Sequence, residues 1–117
     1  MITSIVPKLP FINKQQTLDF YVGKLRFAMQ SDYGDYLILA LHSVELHFFS
    51  YPDLKPAKSD FMIYLRVNED IESLYQQYQT DGVEIHPNAK MDNKPWGQRE
   101  FAIVDPNGTL LTFGQRY

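Results

Sequence analysis

One order of elements is spelled twice along this chain, and that repetition restricts its fold more than any single residue. Residues 3–12 read as a strand interrupted by Pro7 and Pro10, which suit an edge position or an arm because proline donates nothing to a ladder. Asn13 offers a helix N-cap, and Leu18, Tyr21, Val22 and Leu25 follow at helical spacing, so a helix is expected to about Lys24. A strand near Phe27, a turn from Ser31 to Asp35, and strands over Tyr36–Leu41 and Val44–Ser50 complete the unit. The stretch from Tyr51 to Asp60 has the composition of a linker. The order then returns. A strand covers Phe61–Val67, and a helix covers roughly Asp70–Thr80, ending before Gly82. Strands follow over Val83–Ile85, Gln98–Val104 and Thr109–Gly114. Strand, helix and three strands, twice, predict a single α+β domain over residues 1–117. Module one spans about 1–52, the linker about 53–60, and module two about 61–117.

Side chains alternate faces along a strand, which separates a dry face from a mixed one. Phe61, Ile63, Leu65 and Val67 oppose Met62, Tyr64 and Arg66, and Val44, Leu46 and Phe48 oppose Glu45, His47 and Phe49. Leu111 and Phe113 oppose Leu110, Thr112 and Gly114. The apolar faces suit helix packing. The opposite faces collect Lys8, Glu45, His47, Phe49, Tyr64, Arg66 and Thr112, a lining that suits a small-molecule cleft if the sheet curls.

The remaining composition excludes more than it asserts. Fourteen acidic and 11 basic residues leave a net charge of −3, with no block of like charge to meet nucleic acid or an anionic membrane. No apolar run reaches the ~20 residues of a membrane span, and Met1–Ile5 does not read as a signal peptide. Cysteine is absent, which removes disulfides and thiolate chemistry and fits a reducing cytoplasm, the expected location.

The last hairpin adds a family signature. Pro95-Trp96-Gly97 precedes Gln98-Arg99-Glu100-Phe101-Ala102-Ile103-Val104, and Asp105-Pro106-Asn107-Gly108 turns the chain into Thr109-Leu110-Leu111. This run resembles the final hairpin of the glyoxalase/bleomycin-resistance/dioxygenase superfamily, the vicinal-oxygen-chelate fold. Its Pro-Trp-Gly start is most similar to the metal-free, drug-binding branch. Thr3-Ser4-Ile5-Val6-Pro7-Lys8-Leu9 resembles the opening of that branch, where the first strand is exchanged between two subunits. The resemblance implies two βαβββ modules forming a curled mixed sheet with helices outside. It also implies a homodimer with exchanged N-terminal arms and a ligand groove at the dimer interface. Tyr36 and Trp96 match aromatic positions lining the drug site.

Enzymes of that superfamily hold a divalent metal through one ligand on each of four strands. By the resemblance those places fall on Val6, Glu45, Met62 and Thr112, of which only Glu45 is a suitable ligand. No metal or other cofactor is therefore expected. The favoured function is sequestration of an aromatic or amphipathic small molecule, lined by Tyr36, Glu45, His47, Phe49, Tyr64, Arg66 and Trp96. The alternative is a metal-dependent lyase or dioxygenase with an atypical Glu45/His47 site.

Overall fold

A computed structural model describes all 117 residues, Met1–Tyr117. The first module contains strand β1 (Lys8–Phe11), helix α1 (Lys14–Tyr21) and strands β2 (Ala28–Asp32), β3 (Tyr36–Leu41) and β4 (Val44–Ser50). A 3-10 turn at Pro56–Lys58 leads to the second, with β5 (Met62–Arg66), α2 (Ile71–Thr80), β6 (Asp92–Asn93), β7 (Gln98–Val104) and β8 (Leu110–Arg116). Each module forms its own four-stranded mixed sheet. The strand orders are β1-β4-β3-β2 and β5-β8-β7-β6. The first and last strands of each module run parallel, and the other pairs are antiparallel.

The helices form where capping and periodicity direct them. The Asn13 side chain accepts from Gln16 N, and Asp70 caps α2 from a left-handed conformation through Ser73 N. Each helix covers the dry face of its sheet. Tyr21 of α1 packs edge-on to Phe48 at 4.8 Å, while Tyr78 of α2 meets Phe113 at 5.4 Å. Phe101 and Phe113 stack at 5.1 Å beneath α2. These rings, with Leu37, Leu39, Leu46, Ile103 and Leu111, form one core spanning both modules.

Three expectations are corrected. The first strand is four residues long; the Pro7 carbonyl still accepts from His47 N, but Met1–Val6 makes no backbone pairing in this chain. Met1, Ile2 and Ile5 stand at least nine-tenths exposed. Helix α1 stops at Tyr21 rather than Lys24. The backbone N–H groups of Lys24 and Leu25 both turn back to Phe20 O, and Arg26 is left-handed at φ 70°. The strand expected at Val83–Ile85 is reduced to a single bridge between Ile85 and Ile103, and the edge of sheet two is made by Asp92–Asn93 instead.

The modules are joined through the Asp105–Gly108 turn, which is buried against α1. Asp105 accepts from the Tyr21 hydroxyl at 2.6 Å and from the backbone N–H groups of Asn107 and Thr109 at 2.8 Å. Asn107, wholly buried, donates to Thr17 Oγ1 and accepts from Ile12 N. At Gly108, where φ is +84°, a Cβ would run into the Pro56 carbonyl, so glycine is required by both conformation and space.

Burial makes the fold sensitive to alkali. It pushes the Tyr78 phenol up to about 12 and lifts the Tyr21 phenol well above its ordinary value, with the neighbouring Asp105 adding to the rise. The folded state then keeps protons that the unfolded chain releases near pH ~10. Stability is full below that pH and falls as pH rises through the folded values. Urea midpoints are expected to hold from pH 7 to 9, then drop, with each buried phenol contributing about 1.4 kcal/mol per pH unit. A Tyr78→Phe variant should show a shallower decline. A midpoint that stays flat to pH 12 would contradict the assignment.

Candidate functional site

The faces turned away from α1 and α2 carry the seven residues marked in the sequence. Tyr36, Glu45, His47 and Phe49 stand on sheet one. Tyr64 and Arg66 stand on sheet two, with Trp96 in the turn before β7. They form two clusters, and each is completed by neighbours along its own sheet.

On sheet one, His47 is held at both ring nitrogens. The Tyr36 hydroxyl lies 2.7 Å from Nδ1, and Glu45 Oε2 lies 2.6 Å from Nε2. This arrangement is self-consistent for a neutral ring, with the phenol donating to Nδ1 and Nε2–H donating to the carboxylate. The Lys8 ammonium sits over the Tyr36 ring, 5.5 Å from its centre. Register brings these groups together, because β1 places Lys8 opposite His47 and β3 places Tyr36 opposite Phe49. Phe49 packs against Phe61, 6.1 Å between centres, where the second module begins. His42 and His86 stand apart from this cluster. His42 occupies the β3–β4 turn at φ 54°, while His86 accepts from Asn88 N.

Sheet two is organised around a residue that sequence reasoning missed. Glu100 is 8 % exposed, and its Oε2 accepts both from the Tyr64 hydroxyl at 2.6 Å and from Trp96 Nε1 at 2.8 Å. No lysine or arginine pairs with it; the protein's ion pairs lie elsewhere. Tyr64 reaches across β8 because Gly114 stands between β5 and β7, opposite both Arg66 and Glu100. A Cβ on Gly114 would collide with the Tyr64 hydroxyl. Desolvation, with the Glu100 bond adding to it, pushes that phenol up to about 12, so it remains a donor at neutral pH. Arg66 lies over the Tyr64 ring at 5.8 Å. Trp96 is 63 % exposed, which makes it a wall and not a core plug. Alternation in Gln98–Val104 was the available signal, since it sets Glu100 on the face away from Phe101 and Ile103.

Beside Trp96 and Glu100 lies a hollow of about 300 Å³, bordered also by His86, Ala102, Leu110 and Thr112. Its walls combine an exposed indole, apolar side chains and one buried carboxylate with the polar residues Asn88, Lys90 and Lys94. Within it, the corner made by Trp96 and Glu100 suits a ring bearing a positive charge: the indole face attracts a cation, and the carboxylate completes the neutralisation. A larger, mostly apolar groove, about 680 Å³, runs past Phe27, Ile63, Leu65 and Tyr78 and reaches Tyr64 and Arg66 of the sheet-two cluster.

The four places implied for metal ligands can be tested by their chemistry. Met62 is a largely exposed thioether, Thr112 is a neutral hydroxyl beside Tyr64, and Val6 carries no donor. Glu45 and His47 are bonded to each other, and His47 Nδ1 is occupied by Tyr36. A catalytic site needs about three ligands and an open position. These residues do not fit one, and no step through a metal follows from them.

Comparison with known proteins gives one consistent neighbourhood. The family described as "Glyoxalase/Bleomycin resistance protein/Dioxygenase superfamily" matches residues 12–113. A bleomycin resistance protein of Klebsiella pneumoniae is 31% identical over 119 residues, covering 95% of this chain and 90% of that protein. One from Geobacillus stearothermophilus is 25% identical over 126 residues, covering 95% of each. Among solved structures, a bleomycin-binding protein complexed with bleomycin superposes with a TM-score of 0.87 at 30% identity, covering 99% of this chain and 100% of that one.

Proposed function

Because the chain belongs to the glyoxalase/bleomycin resistance protein/dioxygenase superfamily, we propose that it acts by sequestration, holding a cationic aromatic molecule of the bleomycin kind away from its target. The observation that carries this reading is Glu100, buried between Tyr64 and Trp96 without a basic partner. A buried carboxylate lacking a cation is costly unless a ligand supplies one. The aromatic groups around it define what the ligand looks like, and the −3 net charge is compatible with a cation while adding little long-range attraction. No helix is long and apolar enough to cross a membrane. We place the protein in the cytoplasm, where a cysteine-free chain is at no disadvantage.

The complete groove is built by two subunits. Within one chain the Tyr36–His47–Glu45 and Trp96–Glu100–Tyr64 clusters belong to separate sheets. The Met1–Ile5 arm extends with its apolar side chains in solvent. A partner that receives this arm would cover those side chains and bring its sheet one opposite sheet two. Deleting residues 1–6 leaves β1, the Pro7–His47 bond and the core intact, so the truncated chain is expected to fold. Sedimentation should show a dimer for the full chain at micromolar concentration and a shift toward monomer after truncation. Identical sedimentation of the two would remove the arm from the assembly.

The binding reading is tested at Trp96, the one tryptophan. Titration with bleomycin should quench or shift its emission to saturation. Trp96→Ala should weaken binding about tenfold, or ~1.4 kcal/mol, with little effect on the urea midpoint because the ring is largely exposed. Emission that is indifferent to bleomycin, with affinity unchanged in the variant, would contradict the assignment.

A further inference from the structure

We propose that the hollow beside Trp96 selects a planar cation with N–H groups at one end and a hydrogen-bond acceptor at the other, Glu100 receiving the N–H and His86 meeting the acceptor. This selectivity rests on the binding reading above and narrows the ligand to a class. The class is an amidinium, guanidinium or protonated amino-heterocycle with a carbonyl or ether oxygen across the ring. A quaternary cation, which has no N–H, falls outside it. Both residues border the hollow of about 300 Å³.

Two unmet polar atoms point to this ligand. The first belongs to Glu100. Its Oε2 accepts from Tyr64 and from Trp96 Nε1, which fixes the carboxylate. Its Oε1 has no donor within the chain and is not sealed from solvent. A carboxylate that is nine-tenths buried with one oxygen open calls for a donor, and a charged N–H group supplies bond and countercharge together. The second atom is Nε2 of His86. The backbone N–H of Asn88 donates to His86 Nδ1 at 3.1 Å. A backbone N–H only donates, so Nδ1 is an acceptor and the proton of the neutral ring sits on Nε2. That N–H finds no acceptor within the chain.

The backbone sets the spacing between the two atoms. His86 N donates to Ala102 O at 2.9 Å, Ala102 N to Ala89 O at 3.0 Å, and Ala89 N to His86 O at 3.0 Å, so the loop presenting His86 is pinned to β7. Ala102 follows Glu100 by two residues, on the same face of that strand. The step is about 7 Å, comparable to the length of a ring substituted at both ends. The exposed Trp96 indole offers a face on which such a ring stacks. Lys90 and Lys94, also on the border, repel a second positive charge and favour the oxygen end of the ligand.

The test titrates the full-length protein with bleomycin and with three simple cations, read by Trp96 emission and calorimetry. These are para-acetylbenzamidine, para-isopropylbenzamidine, which lacks the acceptor, and para-acetylphenyltrimethylammonium, which lacks the N–H. The first should bind about tenfold more tightly than either of the others, because a site built around a hydrogen bond rejects a ligand that cannot make it. His86→Phe should erase its advantage over the isopropyl compound and keep its advantage over the quaternary one. In the unsubstituted protein at about pH 8, where an ordinary imidazole is neutral, long-range ¹H–¹⁵N spectra should place the His86 proton on Nε2. Equal affinities for the three cations, an advantage that survives in His86→Phe, or a proton on Nδ1 would overturn the proposal. Bleomycin binding without binding of para-acetylbenzamidine would also overturn it, while leaving sequestration standing. Ranked binding of the cations without bleomycin would keep the selectivity and remove the bleomycin reading. No binding by any of the four would remove both.

Discussion

Asp105→Ala is expected to destabilise the fold by about 3–5 kcal/mol, the largest single loss foreseen outside the apolar core. Three donors converge on this carboxylate: the Tyr21 hydroxyl and the N–H groups of Asn107 and Thr109. All lie in the interior, and leaving a buried donor unpaired costs about 1–3 kcal/mol. Partial relaxation keeps the total below the sum. The loss also propagates, because the turn docks module two onto α1. Burial is the largest influence on the Asp105 carboxyl and raises it above the ordinary value, while its donors pull the other way. The sign follows. Protonation at this site favours the folded state, so its contribution is full below the unfolded value and declines as pH rises through the raised one. The penalty of Asp105→Ala should therefore be somewhat greater in mild acid than at neutral pH. Tyr21→Phe should cost less and be non-additive with it. Chemical denaturation of the two single variants and the double variant measures all three. A loss under 1 kcal/mol would mean that the turn does not hold the modules together.

The second large effect concerns binding and has the opposite relation to stability. Glu100→Gln keeps the shape of the site and removes its negative charge. Affinity for a cationic aromatic ligand such as bleomycin should fall by about 2–3 kcal/mol, roughly 30- to 150-fold, as expected when a charge-assisted contact is lost. Stability should hold or rise, because the free protein no longer buries an unpaired carboxylate. Calorimetric titration, paired with urea melts, separates these outcomes. Weakened binding accompanied by an equal loss of stability would reduce Glu100 to a structural residue.

The parts of this fold that the sequence revealed are those governed by local rules. Tyr36–Leu41, Val44–Ser50 and Gln98–Val104 form as strands between the expected bounds. Each has regular alternation, and each is limited by a turn. The cap at Asn13 was legible for the same reason. Asp92–Asn93 was not, since two polar residues carry no periodicity and pair only because β7 offers an edge. The Asp-Pro-Asn-Gly turn was recognised as a turn, but turn chemistry is ordinarily solvated. Its burial against Thr17 and Tyr21 follows from contacts more than 80 residues apart in sequence. Site residues divide similarly. Parity placed Glu45, His47 and Tyr64 on the correct faces, while Glu100 gained its role from Tyr64 crossing above Gly114, a relation between three strands.

Sequestration requires that the ligand be bound and returned unaltered. The direct measurement is equilibrium dialysis of bleomycin against the protein, followed by release in denaturant and mass analysis of the recovered drug. The account predicts saturable uptake, weakened by Glu100→Gln and Trp96→Ala, with the drug recovered at its original mass. No saturable uptake, or a drug recovered chemically changed, would contradict it.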